Sequence, residues 1–185
     1  MSKRALSRLE YEAILRDYKG RDIVGEIAEI LEPMWCDEYY DSDPQAELFS
    51  VNLSDCGTAF NYIFDLRLQR VVVSYGIPVF ATHKRDAARM AGHPLEAGKG
   101  LHRGHLMAHS IGGGTDINLV PQLGKLNIGD FRRLERLVRD KALENHRCLY
   151  FVRCLYRGDS QRPWKFEQVV ISPPRVLDFA LHSNV

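Results

Sequence analysis

The chain has 185 residues, of which 45% are hydrophobic and 26% charged, ordinary values for a globular protein that builds a core without staples. Lys and Arg number 25 against 24 Asp and Glu, so the formal net charge is +1 and the whole chain exerts no pull on nucleic acid; local clusters must carry that argument. No run approaches a membrane span, and the basic start Met1-Ser2-Lys3-Arg4 leads into alternating apolar and charged residues, not the apolar core of a signal peptide. The expectation is a chain that is cytoplasmic as synthesised and has no membrane partner, with export as an effector compatible through a route that needs no cleavable leader.

In chain order, a helix is predicted over residues 3–18, with Leu6, Leu9, Ala13, Ile14 and Tyr18 at helical spacing and Gly20 as its end. A second is predicted over Asp22 to Leu31, stopped by Pro33. Asp37, Glu38, Asp41, Asp43 and Glu47, with Trp35, Tyr39 and Tyr40 among them, read as a solvated loop; the sharper alternative is a docking surface for a basic partner. Strands are predicted over Thr58 to Leu66, Arg70 to Tyr75 and Val79 to Thr82. Residues 83–103 are basic and irregular, with His83, Lys84, Arg85, Arg89, Lys99 and Arg103 against Asp86 and Glu96, and form the best phosphate-facing candidate. A helix from about Ile128 to Leu143 carries Phe131, Leu134 and Val138 as its core stripe. Strands from Cys148 to Tyr156 and from Phe166 to Ile171 follow. Helices, strands, a helix and strands again point to an α+β fold, divided into an N-terminal helical and acidic segment (1–55), packed on the core, and a main domain (56–185). Cys36, Cys56, Cys148 and Cys154 have no CxxC spacing, which argues against structural zinc and favours buried free thiols.

The chemistry concentrates between Leu101 and Arg139. His102-Arg103-Gly104-His105 is followed by Asn118-Leu119-Val120-Pro121-Gln122, then by Asn127, Glu135 and Arg139. Phosphodiester hydrolysis needs a base for the attacking water, and a neutral imidazole, with an unperturbed pKa of about 6.5, suits that role. Charge spreads over the phosphoryl and leaving oxygens, where a divalent cation and arginine stabilise it. Mg²⁺ retains several waters, so one or two fixed protein oxygens suffice; Asn127, beside a helix start, offers one. Glu135 lies two turns on along that helix, and Arg139 at i+4 shares its face.

These strings resemble the DNA/RNA non-specific endonuclease family, whose fold is the ββα-metal (His-Me finger) nuclease. That family's pattern is Asp-Arg-Gly-His, then Asn-x-x-Pro-Gln, then an Asn ahead of a helix with an aromatic and Leu-Glu. Here the counterparts are Arg103-Gly104-His105, Asn118 to Gln122, and Asn127 with Phe131, Leu134 and Glu135. The resemblance implies antiparallel strands, DNA and/or RNA as substrate, and Mg²⁺ (Mn²⁺ also suits) as cofactor. It implies His105 as general base, Asn127 as direct metal ligand, Glu135 near the water shell of the ion, Asn118 as polar support, and Arg103 and Arg139 near the phosphate. Gly112-Gly113-Gly114 with Asn-Leu-Val-Pro-Gln is also similar to nuclease domains of bacterial toxins, which implies an inhibitor (immunity) protein as partner. One position departs: His102 stands where the family has Asp.

Rivals are weaker. His105 and His109 are four apart, as in a zinc peptidase helix, but Leu106 stands where that motif needs Glu. Gly112 to Gly114 lack the Gly-Lys-Ser/Thr of a phosphate loop. The serious alternative is a nuclease-fold module with weak or lost chemistry that binds nucleic acid or a protein, which His102 favours. Contacts dominated by phosphate predict cleavage that falls as salt rises; an initial rate unchanged between about 50 and 200 mM salt would count against that mode of binding.

Overall fold

The first helix, α1 (Arg8–Asp17), starts where Ser7 closes a capping box. The Ser7 hydroxyl accepts from the Glu10 backbone N–H at 3.3 Å, and the Glu10 carboxylate accepts from the Ser7 backbone N–H at 2.8 Å. This reciprocal cap, absent from a reading of apolar spacing alone, places the helix start later than residue 3. A computed structural model describes residues 4–18, 22–55, 58–82, 94–98, 100–114, 116–174 and 176–185. Gly20, Cys56 and, of the basic stretch 83–103, residues 83–93 and Lys99 lie outside the described residues.

The second helix, α2 (Ile23–Ser42), corrects two expectations: it continues through Pro33, and the acidic and aromatic residues from Trp35 to Asp41 form its second half rather than a loop, while Asp43 and Glu47 follow it outside the helix. Proline removes one hydrogen bond and crowds the preceding turn, but burial outweighs this. Ile27, Leu31, Trp35 and Tyr39 recur every four residues and are all at most 2% exposed, a continuous apolar stripe. Several of the acids bind the helix to the sheet. Glu32 accepts from Ser50 Oγ at 2.9 Å and from the Tyr75 hydroxyl, and Glu38 pairs with Arg153.

Six antiparallel strands form the central sheet in the order β1-β2-β3-β6-β7-β8: β1 (Leu48–Asp55), β2 (Thr58–Asp65), β3 (Arg70–Gly76), β6 (Leu149–Leu155), β7 (Lys165–Ser172) and β8 (Val176–Ser183). The edge strands β1 and β8 were not expected. β1 does alternate, Phe49, Val51 and Leu53 against Ser50 and Asn52, whereas Val176 to Ser183 has no clean period. The expected strand at 79–82 is instead an extended segment, whose Val79 and Ala81 N–H groups bond the Ile111 and Ser110 carbonyls.

Register assigns the two sheet faces. On one, Trp35 packs on Tyr75 and Phe151, and Tyr11 on Phe151 and Phe179, so α1 and α2 cover it. On the other, Phe131 packs on Phe166 and His182, so α4 (Phe131–Leu143) covers that side. A buried ionic knot ties the first layer: Arg153 Nε lies 2.7 Å from Glu167 Oε2, and Tyr11 donates its hydroxyl to Glu167 at 3.0 Å. Burial pushes the Glu167 carboxyl upward. Cys148 and Cys154 are buried thiols and Cys36 a half-buried one, none of them in a disulfide; burial raises Cys36 and Cys148 to about 11. Among the described residues no helix is long and apolar enough to cross a membrane.

The α1 cap has a pH signature. The Ser7 backbone N–H, then Arg4, holds the Glu10 carboxyl down to about 2 from 4.5. A folded value below the unfolded one gives stability present above the ordinary value and lost as pH falls toward 2. Glu10→Gln is expected to cost less than about 1 kcal/mol near pH 7, since the cap is solvent-screened, and much less near pH 2, where the carboxylate is being protonated. Urea denaturation at both values measures this; an equal loss at both would remove the carboxylate from the account.

Candidate active site

The site rests on a second, two-stranded antiparallel ribbon, β4 (Leu101–His105) with β5 (Leu119–Leu123), paired from Leu101↔Leu123 to His105↔Leu119. Strand alternation puts Arg103 and His105 on one face, and His102 and Gly104 on the other. Gly104 is required by close packing: a Cβ there would sit 1.9 Å from Gln122 Oε1 and 2.9 Å from Gln122 Cβ.

Asn118 closes the loop between the strands. Its side chain is fully buried, accepts from the Met107 N–H at 2.8 Å, and donates to the Met107 and Gly114 carbonyls, each at 2.7 Å. The glycine run completes the closure. Gly112 has φ 92°, and a Cβ on Gly113 would lie 1.9 Å from the Met107 carbonyl oxygen. The run is therefore a packing device.

Asn127 does not precede the long helix directly. It lies in a short helix, α3 (Gly124–Ile128), and Gly129-Asp130 separates this from α4. Gly129 stops the first helix, a break that apolar spacing could not reveal. The start of α4 is anchored to the sheet: Gln168 Nε2 donates to the Phe131 carbonyl at 3.0 Å, and Gln168 Oε1 lies 2.8 Å from His182 Nε2. Burial lowers the His182 pKa, which favours the neutral ring. The far end of the ribbon is held by Asn184, which accepts from the Leu123 N–H at 2.8 Å and donates to the Pro121 and Pro163 carbonyls. Nothing in the C-terminal sequence signals this role.

These elements enclose a cleft of about 320 Å³, lined by Arg103, His105, Ala108, Ser110, Asn127, Arg132, Glu135, Arg136 and Arg139. It brings together five of the six residues singled out from sequence. The sixth, Asn118, lies outside the lining and holds the loop behind His105. His105 is 9% exposed. Arg132, Glu135, Arg136 and Arg139 follow i, i+3, i+4, i+7, one helical face, so the spacing alone could have assigned Arg132 and Arg136 to the cleft. Ser110 carried no such signal. The Arg139 guanidinium lies 5.7 Å from the centre of the Phe80 ring, a cation–π contact from the segment 77–82. With four arginines against one carboxylate, the cleft is built for an anion.

Among the described residues, no three His, Cys, Asp or Glu side chains gather to hold a metal ion. The oxygen donors lining the cleft are the Asn127 amide, the Glu135 carboxylate and the Ser110 hydroxyl. This set fits a hard cation that keeps most of its waters, not a closed zinc centre.

A strand ribbon and a following helix that present His, Asn, Glu and Arg to one cleft define the ββα-metal nuclease architecture. Residues 77–172 match the family model of the DNA/RNA non-specific endonucleases, and the chain belongs to that family. Among solved structures, it is similar to NucA from Streptococcus agalactiae with a magnesium ion bound: 18% identity over 77% of this chain and 75% of that one, with a TM-score of 0.54. It is also similar to the Sda1 nuclease with a bound zinc ion: 17% identity over 76% of this chain and 84% of that one, with a TM-score of 0.53. At these identities the likeness is one of fold. No curated protein matches the chain.

Asn118→Ala removes three hydrogen bonds and strands a buried N–H and two carbonyls, for an expected loss of about 2–4 kcal/mol in urea denaturation. A loss below about 1 kcal/mol would mean that the loop closes without Asn118.

Proposed function

We propose that this endonuclease is divalent-cation dependent and cuts DNA and/or RNA with low sequence specificity. His105 serves as general base and Asn127 as the direct protein ligand of Mg²⁺ or Mn²⁺. The observation that carries this reading is the convergence of Arg103 and His105 from β4, Asn127 from α3, and Glu135 and Arg139 from α4 on one cleft.

His105 is mostly buried on the cleft face of the ribbon, where a neutral imidazole takes a proton from an attacking water. Arg103, Arg132, Arg136 and Arg139 receive the phosphate and offset its growing charge as the bond breaks. Asn127 and Glu135 would hold the cation, Asn127 directly and Glu135 through its waters. A bound cation supplies charge stabilisation for the phosphoryl and leaving oxygens. Asn118 fixes the chain that follows His105 and so acts through position. Cleft contacts of arginine to phosphate carry no base information, hence the low specificity.

A role as a toxin or effector is the finer reading. Its support is the likeness of Gly112 to Gly114 and Asn118 to Gln122 to toxin nuclease domains, and its partner would be an acidic inhibitor that covers the arginine-lined cleft.

Plasmid DNA and total RNA, incubated with the full chain in Mg²⁺, are expected to be cut, and EDTA to stop the cutting. His105→Ala is expected to reduce the rate by about 10²–10⁴-fold. A folded wild type that cuts neither substrate in Mg²⁺ or Mn²⁺ would favour the binding-module alternative instead.

A further inference from the structure

His102 was the one departure from the family pattern, and the fold places it against the residue assigned to the metal. Its Nδ1 lies 3.4 Å from Asn127 Nδ2. This is longer than an ordinary N–H hydrogen bond of about 2.7–3.2 Å, yet two further facts give it direction. Strand alternation puts His102 on the ribbon face opposite His105, and His102 is exposed and not among the cleft lining. Asn127 thus meets His102 on one side and the cleft on the other. In addition, the imidazole rests on Gly124, the first residue of α3: a Cβ there would come within 2.9 Å of His102 Nε2 and 3.1 Å of Cε1. The missing side chain lets the ring approach the start of α3 closely while its Nδ1 lies toward Asn127.

We propose that His102 is a positioning residue for Asn127. A primary amide has a donor end and an acceptor end, and a free rotor presents either to the cleft. A cation accepts only the oxygen. With Nδ2 donating to the imidazole Nδ1, the remaining polar atom of Asn127 is Oδ1, which is left for the cleft that Asn127 lines. An Asp at position 102 would offer the same service, since a carboxylate also accepts from the amide N–H. The substitution therefore keeps the function with a different acceptor. This inference rests on the reading of Asn127 as the metal ligand.

Partners that orient a ligand typically change metal affinity by about 10–100-fold. The test is Mn²⁺ binding to the full chain without nucleic acid, followed by the EPR signal of free Mn²⁺, alongside steady-state cleavage in Mg²⁺. His102→Ala is expected to weaken Mn²⁺ binding at least about 10-fold, with KM for DNA unchanged and kcat recovering at high Mg²⁺. His102→Asp is expected to bind within a few-fold of wild type. Gly124→Ala displaces the ring without removing it, so it should weaken binding in the wild type and add nothing in the His102→Ala background.

Unchanged Mn²⁺ affinity in His102→Ala, with binding lost in Asn127→Ala, would overturn the positioning role and leave Asn127 as ligand. Unchanged affinity in Asn127→Ala would overturn the ligand assignment itself, and this inference with it. Equal losses in His102→Ala and His102→Asp would show that the ring acts through bulk against Gly124 rather than as an acceptor, and would also overturn the proposal.

Discussion

The site depends on one buried side chain. Asn118 spends its whole amide on the chain around it, one acceptor and two donor contacts, all to backbone. Those bonds join Met107, just after β4, and Gly114, within the loop, to the residue just before β5, so they fix how far apart the two strands leave the loop. The direction of His105 at the end of β4 follows, as does the point where β5 begins. Asn127 follows too, because α3 starts at the residue after β5. A hydrogen bond contributes only about 1 kcal/mol net, but leaving its buried partner unmet costs more. A loop held by three such bonds is therefore closed or unfolded, with little between.

The near-zero net charge conceals a separation of charge across the sheet. Residues 22–47 contain nine acidic residues and no Lys or Arg, and α2 lies on the face away from α4. The cleft on the other side is lined by four arginines and one glutamate. A polyanion meets repulsion on one face and attraction on the other, which orients its approach. Part of the acidity is also structural, since Glu32 and Glu38 reach the sheet and Arg153.

Polar atoms are used repeatedly to locate the layer that forms the cleft. Gln168 and His182 bond at the start of α4, and Asn184 bridges β5 to the chain before β7. Each is buried; Gln168 and Asn184 satisfy backbone groups that would otherwise be stranded, and His182 holds the Gln168 amide in place. Apolar packing supplies the bulk of the burial, but it is nearly indifferent to a sliding of one helix along a sheet. Directional bonds fix the register of the α4 face against the ribbon.

The sequence by itself determined the family likeness and five of the residues that line the cleft, because phosphodiester chemistry restricts residue types and the ribbon and helix keep them at short spacings. Arg103, His105, Asn127, Glu135 and Arg139 all lie within one stretch, and the i+3 and i+4 steps of α4 were legible as a face. It also determined the central strands, where β-branched runs such as Val71-Val72-Val73 are unambiguous. Tertiary structure alone decided the rest. Helix α2 passes Pro33 because Trp35 and Tyr39 are buried against a sheet formed by residues far along the chain. Asn127 falls in its own short helix because the chain breaks at Gly129-Asp130. Asn118 faces the backbone rather than the cleft, and His102 faces Asn127, because strand alternation and loop closure assign each side chain a direction. A spacing between residues states how near they are along the chain; only the packed layers state which way they point.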